Sequence, residues 1–141
     1  MVADAACAFC RIVSGDEPAD IVLSTDDVLA FLDRRPVFKG HVLLVPRRHV
    51  PTLTDLSDDL LPPLFAGART LAQAVKDGLG AQGSFVAMNN TVSQSVAHLH
   101  VHVVPRTKGD GLRGFFWPRT TYAVGESEEY AARLRAAVEG S

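Results

Sequence analysis

Residues 98–104 read His98-Leu99-His100-Val101-His102-Val103-Val104, and no other stretch constrains the architecture as strongly. On a β-strand, alternate side chains share one face. A strand over residues 96–104 would therefore carry three imidazoles on one face and apolar side chains on the other. Three of the five histidines of the chain alternate here, which favours a functional site over incidental histidines. The pattern predicts a buried strand with one face available for chemistry.

The spacing of these histidines argues against a single metal site made by all three. At about 3.3 Å per residue, the first and third imidazoles are about 13 Å apart along a strand. Zinc–nitrogen bonds are only about 2.0–2.1 Å long, so one ion could not contact all three unless the strand bent sharply. We therefore expect the three histidines to have different roles.

Apolar runs bounded by turn-forming residues predict the rest of the sheet. The predicted strands cover residues 20–24, 28–33, 41–46 and 84–88. Because the strands follow one another with short connections, an antiparallel sheet with helices on one side is favoured, an α+β fold rather than a doubly wound one. Two stretches match G-x-G-x-x-G, residues 78–83 (GLGAQG) and 109–114 (GDGLRG), but the first ends the predicted long helix and the second leads into an aromatic, Pro-containing segment rather than a helix. The Rossmann fingerprint lies between a strand and a helix, and no Walker-type loop occurs, so neither a Rossmann nor a P-loop nucleotide site is supported.

Two helices are predicted. The long one should begin near residues 54–57, where several N-cap residues occur, and end near Gly78. Its apolar residues recur three and four positions apart, which is typical of an amphipathic helix. A short C-terminal helix is predicted from Glu126 or Ser127 to Val138.

The composition is that of an ordinary globular domain. The chain has 141 residues, of which 47% are hydrophobic and 21% charged, enough to bury a core in a single domain over residues 1–141. The net charge is −2, so no basic field indicates a nucleic-acid or membrane partner. No apolar run approaches the roughly 20 residues that span a bilayer, and Asp4 stands where a signal peptide needs positive charge. We predict a cytoplasmic protein that binds neither nucleic acid nor membranes.

Cys7 and Cys10 are the only cysteines and form a C-x-x-C pair. A structural disulfide is not expected in a reducing compartment. The pair is then a redox pair, half of a metal site or incidental, and the spacing alone does not decide between these.

With its flanking blocks, the 98–104 stretch resembles the motif of the histidine-triad superfamily. Four further blocks resemble those of bacterial members and occur in the same order: residues 7–12 (CAFCRI), 30–33 (AFLD), 40–49 (GHVLLVPRRH) and 94–96 (QSV). The resemblance covers residues 7–106 and leaves 107–141 as a C-terminal extension. It implies a HIT-like α+β fold and, as is common in the family, a homodimer.

The resemblance implies catalytic roles for four histidines. His100, the middle one of the triad, would be the nucleophile, oriented by the backbone carbonyl of His98. His102 would contact the α-phosphate, and His41 would support the cluster. An imidazole suits this chemistry, because it is a good nucleophile when neutral.

The nucleotide-binding roles follow from the same resemblance. Asp33 would accept hydrogen bonds from the ribose hydroxyls. The base would lie against Phe9, Ile12, Phe31 and Leu32, although Phe9 and Ile12 could equally be core residues. The phosphate would lie against members of the 89–95 loop, namely Asn89, Ser93, Gln94 and Ser95. This loop, NNTVSQS, is shorter than in most family members and has Ser93 at their glycine position, so Asn89 and Asn90 are alternatives for the residue that faces the phosphate.

Some members of the superfamily bind zinc through positions that correspond here to Cys7, Cys10, His49 and His98. Two thiolates and two imidazoles make a closed tetrahedral site of the structural kind. Such an ion would tie the N-terminus to the catalytic strand and hold the carbonyl that orients the nucleophile. The alternative is a pair of reduced cysteines beside two hydrogen-bonded histidines.

These features predict a nucleotidyl hydrolase or transferase. It would attack the α-phosphate of a purine nucleoside phosphoramidate or related nucleotide conjugate and form a nucleotidyl-His100 intermediate. Dinucleoside polyphosphate hydrolysis is an alternative, because the basic and aromatic residues of segment 106–119 could hold a polyphosphate and a second base; the same residues could simply pack. The remaining alternative is a nucleotide-binding signalling or scaffold protein with incidental catalysis.

Overall fold

The computed structural model describes residues 4–112 and 119–140. The chain forms two compact units, Met1–Asp110 and Gly111–Ser141. The first unit contains a five-stranded antiparallel sheet with strand order β1-β2-β3-β5-β4. Its elements are α1 (Ala8–Ser14), β1 (Ile21–Ser24), β2 (Val28–Leu32), β3 (Val42–Pro46), α2 (Leu61–Leu79), β4 (Gly83–Ala87) and β5 (Val101–Arg106). The predicted α+β fold is confirmed.

The strands β1, β2 and β3 lie close to their predicted positions. The tight β1–β2 turn is closed by the Thr25 hydroxyl oxygen, which accepts hydrogen bonds from the backbone N–H groups of Val28 (3.0 Å) and Asp27 (3.3 Å). All five residues of β3 are buried. Since β3 pairs with β2 on one side and β5 on the other, it forms the centre of the sheet, as its continuous apolar run predicts.

The long helix α2 covers one face of the sheet. Its buried residues Leu64, Ala68, Leu71 and Val75 form the predicted apolar stripe, and they share a core with the central strands. The helix begins later than predicted, because residues 53–55 and 58–60 form 3₁₀ turns. The two prolines at 62 and 63 occupy the first helical turn, where their missing N–H groups have no helical partner to lose.

The strand of the triad differs from the prediction, because β5 begins at Val101 rather than at residue 96. The ladder with β3 ends at the pair Leu44–Val101, two residues before Pro46, which has no N–H to donate to a longer ladder. Instead, the N–H of Leu99 donates to the carbonyl of Val50 at 2.7 Å. The predicted alternation persists, since Leu99, Val101 and Val103 all lie in the core beneath α2.

The short helix α1 was not predicted. The thiol of Cys7 caps its first turn by accepting a hydrogen bond from the N–H of Cys10 at 3.4 Å. Gly15, at φ 85°, ends it in the left-handed conformation that glycine adopts at little cost. The helix brings the C-x-x-C pair and Phe9 against the sheet face opposite to α2. The prediction that the helices lie on one side of the sheet is therefore wrong for α1, because the apolar side chains of the second face also need cover.

The second unit contains the predicted C-terminal helix, α3 (Glu126–Glu139). Three apolar side chains spaced four residues apart, Tyr130, Leu134 and Val138, are exposed on it. Residues 113–118 of the aromatic segment lie outside the described residues, and the prediction of one domain over 1–141 stays a prediction. Among the helices of the described ranges, none combines the length and apolar character needed to cross a bilayer.

Candidate active site and cysteine–histidine cluster

Phe9 of α1 connects the triad to the apolar face of the sheet. Its ring meets the ring of His100 edge-on at 5.0 Å between centroids and that of Phe31 at 5.4 Å. Phe9 is itself buried, with 8% of its surface exposed. Phe9 is therefore a core residue that also lines the cavity of the triad.

His100 is held in a defined orientation. Its Nδ1 lies 2.8 Å from the backbone carbonyl oxygen of His98. A carbonyl only accepts hydrogen bonds, so Nδ1 carries the proton and Nε2 keeps its lone pair. The residue is 3% exposed, yet its ring lines a cavity. The geometry matches what a nucleophilic imidazole requires.

His41 and His102 form a hydrogen-bonded pair whose tautomers are also defined. The backbone N–H of Val37 donates to His41 Nδ1 at 3.1 Å, so the proton of a neutral His41 is on Nε2. That Nε2–H then donates to His102 Nδ1 at 2.9 Å. His102 therefore carries its own proton on Nε2. Asp33 stands close enough to complete a metal-binding trio with this pair, but both ring nitrogens of His41 are already used in hydrogen bonds.

Burial keeps this pair neutral at physiological pH. Desolvation lowers the pKa of His41, and the nearby Asp33 carboxylate only partly opposes that shift. The pKa of His102 is lowered to about 4, mainly by desolvation and further by His100 and His41. Both imidazoles are therefore uncharged and act as hydrogen-bond donors and acceptors.

The lowered pKa of His102 predicts an acid-sensitive stability. In the unfolded chain its pKa returns to about 6.5, so between about pH 6.5 and 4 the unfolded state binds more protons than the folded state. The free energy of unfolding should therefore fall as the pH falls through that window. His102→Asn should make urea-unfolding midpoints less dependent on pH between 4.5 and 6.5. Equal slopes for the variant and the wild type would contradict this expectation; His41 and His98, whose pKa values are also lowered, account for the slope that remains.

The triad opens into a cavity of about 370 Å³. Eight residues predicted from sequence line it: Phe9, Ile12, Phe31, Leu32, Asp33, Ser95, His100 and His102. The Asp33 Oδ1 atom accepts a hydrogen bond from the N–H of Arg35 at 2.9 Å, which orients the carboxylate. Sequence reasoning missed several further lining residues, among them Arg11, Glu17 and Arg34. Apolar and polar groups thus converge on one cleft, the usual form of a small-molecule site.

Three predicted phosphate-binding residues, Asn89, Ser93 and Gln94, do not line this cavity. The Gln94 side chain instead ties its loop together, accepting from the N–H of Thr91 at 2.9 Å and donating to the carbonyl of Pro51 at 2.7 Å. Asn90 Oδ1 likewise accepts from the N–H of Leu53 at 2.8 Å. An asparagine would face a phosphate through its Nδ2–H₂ group, so this bond does not decide between Asn89 and Asn90. Ser93 has φ 60°, a left-handed conformation that suits the glycine it stands in for.

Cys7, Cys10, His49 and His98 form a second cluster, whose four ligand atoms all lie within 4.8 Å of one another. The Sγ of Cys10 lies 3.2 Å from His49 Nδ1 and 3.5 Å from His98 Nδ1. Around a tetrahedral zinc, sulfur and nitrogen ligands are about 3.6 Å apart. The His98 Nε2–H donates to the carbonyl of Pro46 at 2.8 Å, which turns the Nδ1 lone pair towards the thiols. The donor set and its spacing fit a structural zinc ion.

Burial raises the pKa of the Cys10 thiol, and the neighbouring Cys7 adds to the shift. Two thiolates this close together need a cation to compensate their charge. A divalent metal would supply the positive charge that two thiolates need. Two protonated thiols, the alternative, are neutral and need no cation. The cluster therefore suits a metal chemically as well as geometrically.

Comparison with known proteins agrees with the geometry. Residues 14–109 match the HIT domain. A Streptococcus mutans UA159 protein of known crystal structure superposes with a TM-score of 0.88 at 31% identity, covering 96% of this chain and 87% of that one. The adenosine 5'-monophosphoramidase of Schizosaccharomyces pombe is 34% identical over 128 residues, which are 86% of this chain and 89% of the relative. A zinc-bound histidine triad family protein from Mycobacterium smegmatis has a TM-score of 0.72 and 36% identity, covering 93% and 96% of the two chains. The chain belongs to the HIT, or histidine-triad, family.

Proposed function

We propose that the protein is a nucleotidyl hydrolase that cleaves purine nucleoside phosphoramidates or related conjugates at the α-phosphate. The observation that carries the proposal is the 2.8 Å hydrogen bond from His100 Nδ1 to the His98 carbonyl. It leaves an unprotonated Nε2 on a ring that lines a cavity shared with Asp33 and Ser95. The S. pombe relative, named as an adenosine 5'-monophosphoramidase, supports the choice of substrate.

In the proposed first step, the His100 Nε2 lone pair attacks the α-phosphorus. A phosphorus–nitrogen bond to His100 forms as the bond to the leaving amine breaks. The amine takes its proton from solvent in the open cavity, because a neutral His102 would be left as an imidazolate if it gave up its own Nε2–H. That N–H instead donates a hydrogen bond to the α-phosphate. The backbone carbonyl of His98 stabilises the positive charge that develops on the His100 ring.

In the second step, water attacks the phosphorus of the nucleotidyl-His100 intermediate from the open side of the cavity. The bond to His100 breaks and a nucleoside monophosphate is released. The water gives up a proton to solvent, which balances the proton that the amine took. The enzyme therefore returns to its starting state without an external cofactor in the chemical steps, and Asp33 and Ser95 would hold the ribose and the phosphate throughout.

We also propose that Cys7, Cys10, His49 and His98 hold one structural zinc ion per chain. The 3.2–3.5 Å separations between sulfur and nitrogen atoms support this, as does the zinc-bound relative from M. smegmatis. When bound, the ion would anchor α1 and residue 98, and thereby the carbonyl that orients His100. From the family resemblance we further infer that the protein is a cytoplasmic homodimer. Light scattering on the purified protein would test the dimeric state.

A substrate panel tests the catalytic proposal. The pure protein should hydrolyse adenosine and guanosine phosphoramidates with a higher kcat/KM than dinucleoside polyphosphates, because an amine leaving group brings no further phosphates or second base that the protein must hold. Faster cleavage of the polyphosphates would favour the alternative hydrolase. Tight nucleotide binding with no turnover on any member of the panel would instead favour a signalling or scaffold protein.

A further inference from the structure

Glu17 lines the cavity of the triad, and the proposed chemistry gives it no role. The first turn of α1 contacts the histidines through Phe9. Ile12 lies almost one helical turn further on, and beyond the end of α1 the N–H of Glu17 donates to the carbonyl of Arg11 at 3.1 Å. Glu17 therefore lies beside the C-terminal end of α1, whereas the contact with the triad is made by its first turn.

The order of groups in a nucleotide places the base near that end. A 5'-nucleotide has phosphate, ribose and base in sequence, and the proposed function puts the phosphate at His100 and the ribose at Asp33. The base then lies beyond the ribose, against Phe9 and Ile12. Glu17 and Arg11 are the charged residues that α1 and its following loop contribute to the cavity, so they are the groups of this segment that could contact the edge of a base.

The Glu17 carboxylate is positioned but still able to accept hydrogen bonds. Arg11 Nε lies 3.7 Å from one carboxylate oxygen and Arg34 Nη2 lies 3.7 Å from the other. Both distances are longer than a hydrogen bond. The two arginine contacts therefore leave the lone pairs of the Glu17 carboxylate oxygens unoccupied. The side chain is 38% exposed, which leaves it accessible to a ligand.

We propose that Glu17 recognises the Watson–Crick edge of the base and makes the enzyme prefer guanine to adenine. Guanine presents N1–H and N2–H₂ side by side, and a carboxylate can accept from both at once. Adenine offers a single amino group next to the N1 lone pair, which would face the carboxylate unfavourably. Arg11 beside Glu17 can donate to guanine O6. This inference rests on the proposed function, because that function locates the base.

The test compares kcat/KM for the 5'-phosphoramidates of guanosine, inosine and adenosine. The wild type should favour guanosine over adenosine by on the order of tenfold, since one bidentate pair discriminates to about that degree. Inosine, which keeps N1–H but lacks the N2 amino group, should fall between them. Glu17→Ala should bring the guanosine-to-adenosine ratio close to one.

Asp16→Ala is the matched control: it removes the same charge one position away, from an exposed residue outside the cavity, and should keep the wild-type ratio.

Binding measurements separate this inference from the proposed function. Calorimetric titration with GMP, IMP and AMP should show the same order of affinity and the same loss in Glu17→Ala. If the wild type hydrolyses no phosphoramidate yet shows this Glu17-dependent order, the proposed function fails and base recognition stands. Equal affinity for GMP and AMP in the wild type, or a preference that survives Glu17→Ala, would overturn the inference.

Discussion

Replacing His100 with alanine should abolish turnover, lowering kcat by a factor on the order of 10³ or more. The variant has no nucleophile, whereas the cavity walls and the groups proposed to hold ribose and phosphate remain. Nucleotide affinity should therefore stay close to that of the wild type. Steady-state turnover assays would measure the loss of kcat, and calorimetric titration with a nucleoside monophosphate would measure the affinity.

His102→Ala is the informative comparison for this result. It removes the proposed hydrogen-bond donor to the α-phosphate but leaves His100 and its hydrogen bond to the His98 carbonyl, so we expect a smaller loss of kcat than in His100→Ala. Thermal melting of both variants would establish that each is folded. An active His100→Ala beside an inactive His102→Ala would show that the nucleophile has been assigned to the wrong residue.

Cys10→Ser should produce the largest loss of stability, because it removes one of four proposed zinc ligands from a buried cluster. A ligand that binds only the folded state, at a free concentration of about a thousand times Kd, stabilises it by about 4 kcal/mol. Loss of the ion should therefore lower the melting temperature strongly, while kcat per folded molecule changes less. Elemental analysis of wild-type protein purified without chelator should find about one zinc per chain.

Chelation provides the control for the serine substitution itself. A strong chelator should lower the melting temperature of the wild type and leave that of Cys10→Ser almost unchanged, since the variant has little zinc to lose. If the chelator affects neither protein, or if metal-free wild type retains full stability, the cluster is a set of hydrogen-bonded thiols and imidazoles instead.

Local sequence patterns were sufficient for most of the sheet and for the two longer helices. The strands at 28–32 and 42–46 are continuous apolar runs between turn residues, and α2 buries the stripe that its spacing predicts. The alternation of Leu99, Val101 and Val103 likewise determined which face of the chain enters the core. Each of these signals depends on neighbours a few residues apart, which a sequence displays directly.

The positions that local patterns failed to predict depend on partners far along the chain. Helix α1 has seven residues, too short to be stable alone, and it forms where Phe9 and Cys10 can pack against the sheet. The start of β5 is set by Pro46 and by the bond from Leu99 to Val50, neither of which is near residue 96 in sequence. Such contacts cannot be inferred from periodicity.

The candidate site shows the same division. By itself, the sequence determined the α+β fold, the alternation of the triad and, through its resemblance to the family, which residues are proposed as the nucleophile and the zinc ligands. Only the tertiary structure decided that Cys10 meets His49 and His98, that His41 donates to His102, and that Glu17 faces the cavity. The physical reason is that chemistry depends on which atoms lie within a few ångströms, and those distances are set by how the whole sheet and α1 pack together.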